Sequence, residues 1–203
     1  MALSLFGVAV NDVHAMHTTA TRTELVTVRD LAAICAPFDG RNVDPDDAAV
    51  LRHNDVIAEF SARGPVLPAP AGVTFRSSDA VARWLELHYS ALTDALAFVE
   101  NRVAARVHVF KAGAADDREN NTDAIAVASE SLRALRPGTA GTVGLRPDQR
   151  PGVLLSAAFL VDAERWQEFA AQVEDRGRQS ASVRFELTGP WPPYDFVQMQ
   201  LGA

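Results

Sequence analysis

The first apolar positions, Leu3 to Val10, form a nearly unbroken run that includes Phe6 and two valines. The run is short and apolar on both faces of an extended chain, which predicts a central β-strand rather than an exposed one. Glu24 to Asp30 and Leu31 to Pro37 read as two further strands, closed by the turn residues Pro37-Phe38-Asp39-Gly40. A helix then starts at Asp44, whose side chain can cap it, with Pro45 in the first helical position and Asp46 and Asp47 against the positive end of the helix dipole. It runs to Arg63, where Gly64-Pro65 stops it. Prolines and glycine make Val66 to Gly72 an extended connector, because they remove donors and restrict the residues before them. From Ser78 the apolar positions change period: Val81, Trp84, Leu85, His88, Leu92, Ala95, Leu96 and Val99 fall on one stripe and predict one long helix.

Beyond residue 100, Val103, Ala105, Val107 and Val109 alternate with Arg106 and His108, the pattern of a half-exposed strand. Thr122 to Leu135 reads as a helix with Ile125, Ala128, Leu132 and Leu135 inward, and Pro137 to Pro151 as a loop. Val153 to Val161 predicts a buried strand, and Asp162 caps a fourth helix carrying Trp166, Phe169, Ala170 and Val173. Val183, Phe185 and Leu187 alternate with Arg184 and Glu186 in a further strand, followed by a short aromatic strand at Tyr194 to Met199. This mixture predicts an α+β protein of two small α+β domains, residues 1–100 and 101–203.

Composition narrows the function classes. The chain has 203 residues, 48% hydrophobic and 22% charged, with Gly 12 and Pro 11, so it is globular and neither disordered nor collagen-like. Its longest apolar stretches are about half a membrane span, which predicts no membrane insertion. The opening Met1-Ala2-Leu3-Ser4 lacks the positive region of a secretion signal, which leads to the expectation of a cytoplasmic protein. Cys35 is the single cysteine and reads as a small buried hydrophobe. The net charge is −7, with residues 1–100 carrying 7 Arg against 13 acids and the remainder 12 basic residues against 13 acids. Neither half has the basic footprint of a nucleic-acid binder.

The candidate chemistry is sparse. Gly138, Gly141 and Gly144 are spaced by three, follow a helix and lack the Lys-Ser/Thr of a phosphate loop. No Gly-x-Ser-x-Gly or His-Glu-x-x-His is present. His14 and His17 lack an identifiable third metal ligand. His53 and His88 lie on apolar helix stripes and read as core or interface histidines, with His53 and Asn54 forming a polar pair directed at the apolar face. Asp46-Asp47 is helix-start chemistry, and Asp116-Asp117-Arg118-Glu119 a solvated turn. The expectation is therefore no catalytic residues, no metal and no cofactor.

One segment is unusual. In Leu187-Thr188-Gly189-Pro190-Trp191-Pro192-Pro193-Tyr194, Gly189 permits a backbone excursion, Pro190, Pro192 and Pro193 stiffen the chain, and Trp191 and Tyr194 supply large flat surfaces. It reads either as a rigid turn that packs its own aromatics inward or as a protein-binding edge, and Trp191-Pro192 is the expected place for a cis peptide.

Glu186 to Val197, built around that segment, resembles the C-terminal signature of the gas vesicle GvpL/GvpF family. Arg52-His53-Asn54-Asp55 is similar to the family's His-Asn pair on its first long helix, Val66-Leu67-Pro68 to its Leu-Pro connector, and Ala157 to Val161 to the strand before its last helix. The chain departs from the family pattern at Pro70-Ala71, which stand where Arg-Phe is common before Gly72. The resemblance implies a non-enzymatic accessory protein of gas vesicle assembly, associated with gas vesicles in the cytoplasm. Its implied partners are the shell protein and other accessory subunits, met during nucleation or growth. It also implies a ferredoxin-like second domain. A small-molecule or metal-dependent enzyme on such a scaffold is the competing reading, since fold does not dictate function.

Overall fold

The structure is a computed structural model that describes residues 1–11, 23–38, 47–112, 120–146 and 150–197. The chain divides into two compact units, Met1–Glu100 with Pro192–Ala203, and Asn101–Trp191. The segment after Trp191 thus groups with the first unit.

In the first unit, β1 (Leu3–Val10) is central, as its unbroken apolar run requires. It pairs antiparallel with β3 (Leu31–Pro37) on one side and with β4 (Val66–Pro68) and β5 (Thr74–Phe75) on the other. Outside β3 lies β2 (Glu24–Val28), giving the order β2-β3-β1-β4. Leu5 pairs with Cys35 but Gly7 with Ile34, so β1 holds one extra residue there, a bulge that changes which positions share a face. Leu3, Leu5 and Val8 consequently join one core cluster and Phe6 and Ala9 another. The first cluster is closed by α2 (Ser78–Leu87) and α3 (Tyr89–Val99) through Val81, Trp84, Leu85, Leu92, Leu96 and Val99. The second is closed by α1 (Asp47–Ser61) through Val56, Ile57 and Phe60. Cys35 is fully buried, and burial, helped by the charge of Glu24, pushes its thiol pKa up to about 12.

Two sequence expectations change here. The long helix from Ser78 is two helices that meet at His88, whose φ of −104° and ψ of 12° leave the helical region while its ring lies 5.6 Å from Trp84. The break leaves the 3.6-residue stripe intact, which is why periodicity alone reads straight through it. The cap is Ser77, whose hydroxyl accepts from the Ala80 N–H. The Leu-Pro connector is an edge strand, a place where a proline costs no ladder hydrogen bond. The expected helix-start residues Asp44, Pro45 and Asp46, the turn residues Asp39 and Gly40, and His14 and His17 lie outside the described residues.

The second unit runs β6 (Arg102–Lys111), α4 (Asn120–Ala134), β7 (Gly141–Leu145), β8 (Val153–Asp162), α5 (Trp166–Gln179) and β9 (Val183–Trp191). Its sheet is antiparallel with the order β7-β8-β6-β9. Ala105, Val107, Val109, Phe159 and Val161 pack with Ala124, Ala128 and Leu132 of α4 and Phe169 and Val173 of α5. Together with the first unit, this makes the protein α+β.

Five expectations are corrected. β6 is not half-exposed: Ala104, His108 and Phe110 are buried as well, and His108 Nδ1 lies 2.9 Å from the Ser156 hydroxyl directly opposite on β8. The inward stripe of α4 uses Ala124 in place of Ile125, which is 41% exposed. The glycine-rich stretch after Pro137 contains β7, so Gly141 and Gly144 belong to an edge strand, whose two glycines erase the alternation that would announce it. Asp162 does not cap α5. A single 3₁₀ turn at Ala163–Arg165 intervenes, and the Asp162 carboxylate accepts from Arg102 at 3.1 Å. The aromatic strand expected at Tyr194 is also a 3₁₀ turn, Tyr194–Phe196, while Gln198 and Met199 lie outside the described residues.

A close backbone approach fixes β4 against β1. A Cβ on Gly7 would stand 2.6 Å from the Leu67 carbonyl oxygen and 3.0 Å from Ile57 Cδ1, so no side chain fits. Gly7→Ala is expected to destabilise the protein by about 1–3 kcal/mol, the usual cost of overpacking, read as a lower denaturation midpoint in urea.

Candidate functional site

The Gly-Pro-Trp-Pro-Pro-Tyr motif separates into two parts. Gly189, Pro190 and Trp191 end β9 in the second unit, whereas Pro192, Pro193 and Tyr194 belong to the first. Between the pairs Arg106↔Thr188 and Ala104↔Trp191, β9 advances one residue more than β6, so the strand bulges there. Gly189 makes this possible: its φ is +129°, and a Cβ would meet the Ala104 carbonyl at 2.8 Å and the Trp166 ring at 2.9 Å. Only glycine adopts that conformation readily. The cis peptide is Gly189-Pro190 and not the expected Trp191-Pro192, so it lies within the bulge. Past it, Trp191 is 48% exposed, with its indole N–H donating to the Thr188 hydroxyl at 3.2 Å. Phe185 and Leu187 pack on the core of the second unit, so that core is completed on β9 without Trp191.

In the first unit, Pro193 is buried and Tyr194 packs beside the cluster built on Phe6 and Phe60. The Tyr194 hydroxyl donates to Asn54 Oδ1 on α1 at 2.9 Å. One residue earlier on α1, His53 is 5% exposed, its ring 5.3 Å from that of Phe6, and its Nε2–H donates to the Ala69 carbonyl at 2.9 Å. Burial lowers the His53 pKa, and the hydrogen bond to Ala69 opposes this in part. Asn54 does not share the apolar face with His53, contrary to the expectation: it is exposed, because consecutive helical residues point about 100° apart. His53 therefore anchors α1 to the residue that follows β4, and Asn54 anchors the C-terminal turn to α1. The sequence signals for both contacts were the motifs themselves. Nothing in spacing pairs residues 54 and 194, and the acceptor for His53 is a backbone carbonyl that no residue type marks.

Among the described residues no group of three or more His, Cys, Asp or Glu could hold a metal ion. No helix among them is long and apolar enough to cross a membrane. His14 and His17, Asp46 and the Asp116–Glu119 cluster lie outside the described residues.

Comparison with known proteins gives one consistent picture. The family model described as "Gas vesicle synthesis protein GvpL/GvpF" matches residues 6–141 and 111–198. Gas vesicle protein F2 of Halobacterium salinarum is 29% identical over 189 residues, covering 91% of this chain and 84% of its own. Gas vesicle protein L of a Streptomyces species is 32% identical over 200 residues, with 80% and 74% covered. Among solved structures, the crystal structure of GvpF from an Anabaena species superposes with a TM-score of 0.82 at 15% identity over 98% of this chain and 99% of that one. GvpF from Microcystis aeruginosa gives 0.76 at 12% identity over the same shares. At those identities the two structures establish the shared fold.

Two measurements test the anchoring contacts. Tyr194→Phe and Asn54→Ala should each lower stability by about 0.5–1.5 kcal/mol, and the double variant should lose less than the sum, because both remove one hydrogen bond. For His53, the folded state resists protonation while the unfolded chain titrates near its usual value of about 6.5. Stability should therefore fall as pH drops below about 6.5 and level off once the folded histidine also protonates. His53→Gln should flatten that part of the stability–pH curve measured by urea titration.

Proposed function

Because the chain belongs to the gas vesicle GvpL/GvpF family, we propose that it is a non-enzymatic accessory protein of gas vesicle assembly that contacts the shell protein and other accessory subunits during nucleation or growth. The observation that carries this reading is the family match, which reaches into both units and includes both parts of the aromatic-proline motif. The β-α-β-β-α-β order of the second unit supports reading it as ferredoxin-like. On this reading the protein works in the cytoplasm in association with gas vesicles and needs no cofactor, nucleic acid or membrane. The competing reading, an enzyme on the same scaffold, draws no support from the relatives, which are gas vesicle proteins by name.

Trp191 is the residue that favours a contact surface on the aromatic-proline motif. It is a half-exposed tryptophan held by a single side-chain hydrogen bond at the rigid end of a strand, the kind of residue that carries interface energy at low entropic cost. Capture experiments from the native host, with the vesicle fraction separated from cytosol, test the reading directly: recovery with shell or accessory proteins supports it, and recovery with neither opposes it. Trp191→Ala should leave the melting temperature nearly unchanged while weakening that capture. A loss on the order of 3–5 kcal/mol of stability would instead place Trp191 in a core.

A further inference from the structure

β9 is the edge strand of its sheet. It pairs with β6 on one side, and among the described residues no strand pairs with the other. Beside it opens a groove of about 640 Å³ lined by Ala170, Val173 and Gly177 of α5 and by Val183, Phe185 and Leu187 of β9. An added strand along this edge would complete the sheet and place every second side chain over the groove.

The side chains of β9 indicate which strand fits. Val183, Phe185 and Leu187 are the core-side residues of β9 beside the groove, and Arg184, Glu186 and Thr188 alternate with them along the strand, Arg184 also bordering the groove. Arg184 lies over the Phe110 ring at 4.2 Å, and Glu186 accepts from Arg150 at 2.6 Å with Arg184 itself 3.8 Å away. An antiparallel pairing of β9 with itself about a two-fold axis at Phe185 sets Arg184 against the partner's Glu186 and Glu186 against the partner's Arg184. It also sets Val183 against the partner's Leu187 over the groove. Moving the axis to Arg184 or to Glu186 opposes like charges at the centre, which is unfavourable between directly opposed residues. Pro190, having no N–H, and the bulge at Gly189 limit the pairable stretch to Val183–Thr188.

We propose that β9 is a self-association edge, and that two copies of this chain join their second-unit sheets through antiparallel pairing centred on Phe185. The surface is isologous, as a two-fold contact requires. It lies on the strand that ends in Trp191 but takes a second copy of this chain rather than a shell or accessory protein, and its test uses the purified protein alone.

Sedimentation and light scattering of the full chain over a rising concentration series should show a monomer–dimer equilibrium. Arg184→Glu and Glu186→Arg should each weaken the dimer about tenfold or more, since each opposes like charges at both pairs. Mixing the two variants should restore dimers, because an edge with two acids then faces an edge with two arginines. Melting curves confirm that each variant is folded. The proposal is overturned by a folded protein that stays monomeric throughout the series, by a dimer indifferent to either substitution, or by a mixture that fails to recover. A monomeric chain whose β9 edge binds an extended peptide would likewise overturn it in favour of a heterologous strand.

Discussion

The close approach at Gly7 governs the construction of the first unit. Because no side chain intervenes, the carbonyl of Leu67 can come within reach of β1, and β4 forms on the edge of the sheet. That places Ala69, whose N–H donates to Phe6 at 2.8 Å and whose carbonyl accepts from His53. His53 in turn sets the rotation of α1, and α1 presents Asn54 to Tyr194. Segments separated by more than a hundred residues are coupled through four successive contacts, each short enough to have one satisfactory geometry.

Buried polarity follows the same economy in both units. Among the described residues the buried polar side chains are His53, His108, Ser131 and Ser156, and both histidines have a partner at 2.9 Å. Ser61 Oγ is a buried atom with no partner among them, at the end of α1. The ion pairs, by contrast, reach solvent: Arg63 with Glu59, Arg165 with Glu168 and Arg178 with Glu174 are three or four residues apart, the first pair partly exposed and the other two exposed. Pairs of that kind are worth about 0–1 kcal/mol each, so specificity in this fold comes from the few buried polar contacts and from packing.

Much of the architecture was legible because burial writes periodicity into sequence. The continuous apolar runs of β1 and β3, the stripe of α2 and α3, and the alternation in β9 all declare themselves. The features that escaped are those in which backbone geometry dominates. The break at His88 preserves the stripe, β7 is diluted by glycine, β4 contains a proline, and the excursion at Gly189 is fixed by the carbonyl of Ala104 on another strand. The aromatic-proline motif was visible as a composition anomaly, yet its division between the units was not, because residue type does not say with which unit a stiff segment packs. Asn54 and Tyr194 stood in separate motifs, and only the fold joins them.

The burial of Cys35 has a practical corollary. The thiolate is the reactive form of cysteine, and a thiol titrating near 12 in the middle strand of a covered sheet is both uncharged and unreachable at neutral pH. Since Cys35 is the single cysteine and its side chain lies in the core closed by α2 and α3, any labelling by a thiol reagent must pass through states in which that core has opened. The native chain thus carries its own chemical clock: the rate at which reagent is consumed counts openings of the first unit, with no probe introduced and no signal from the second.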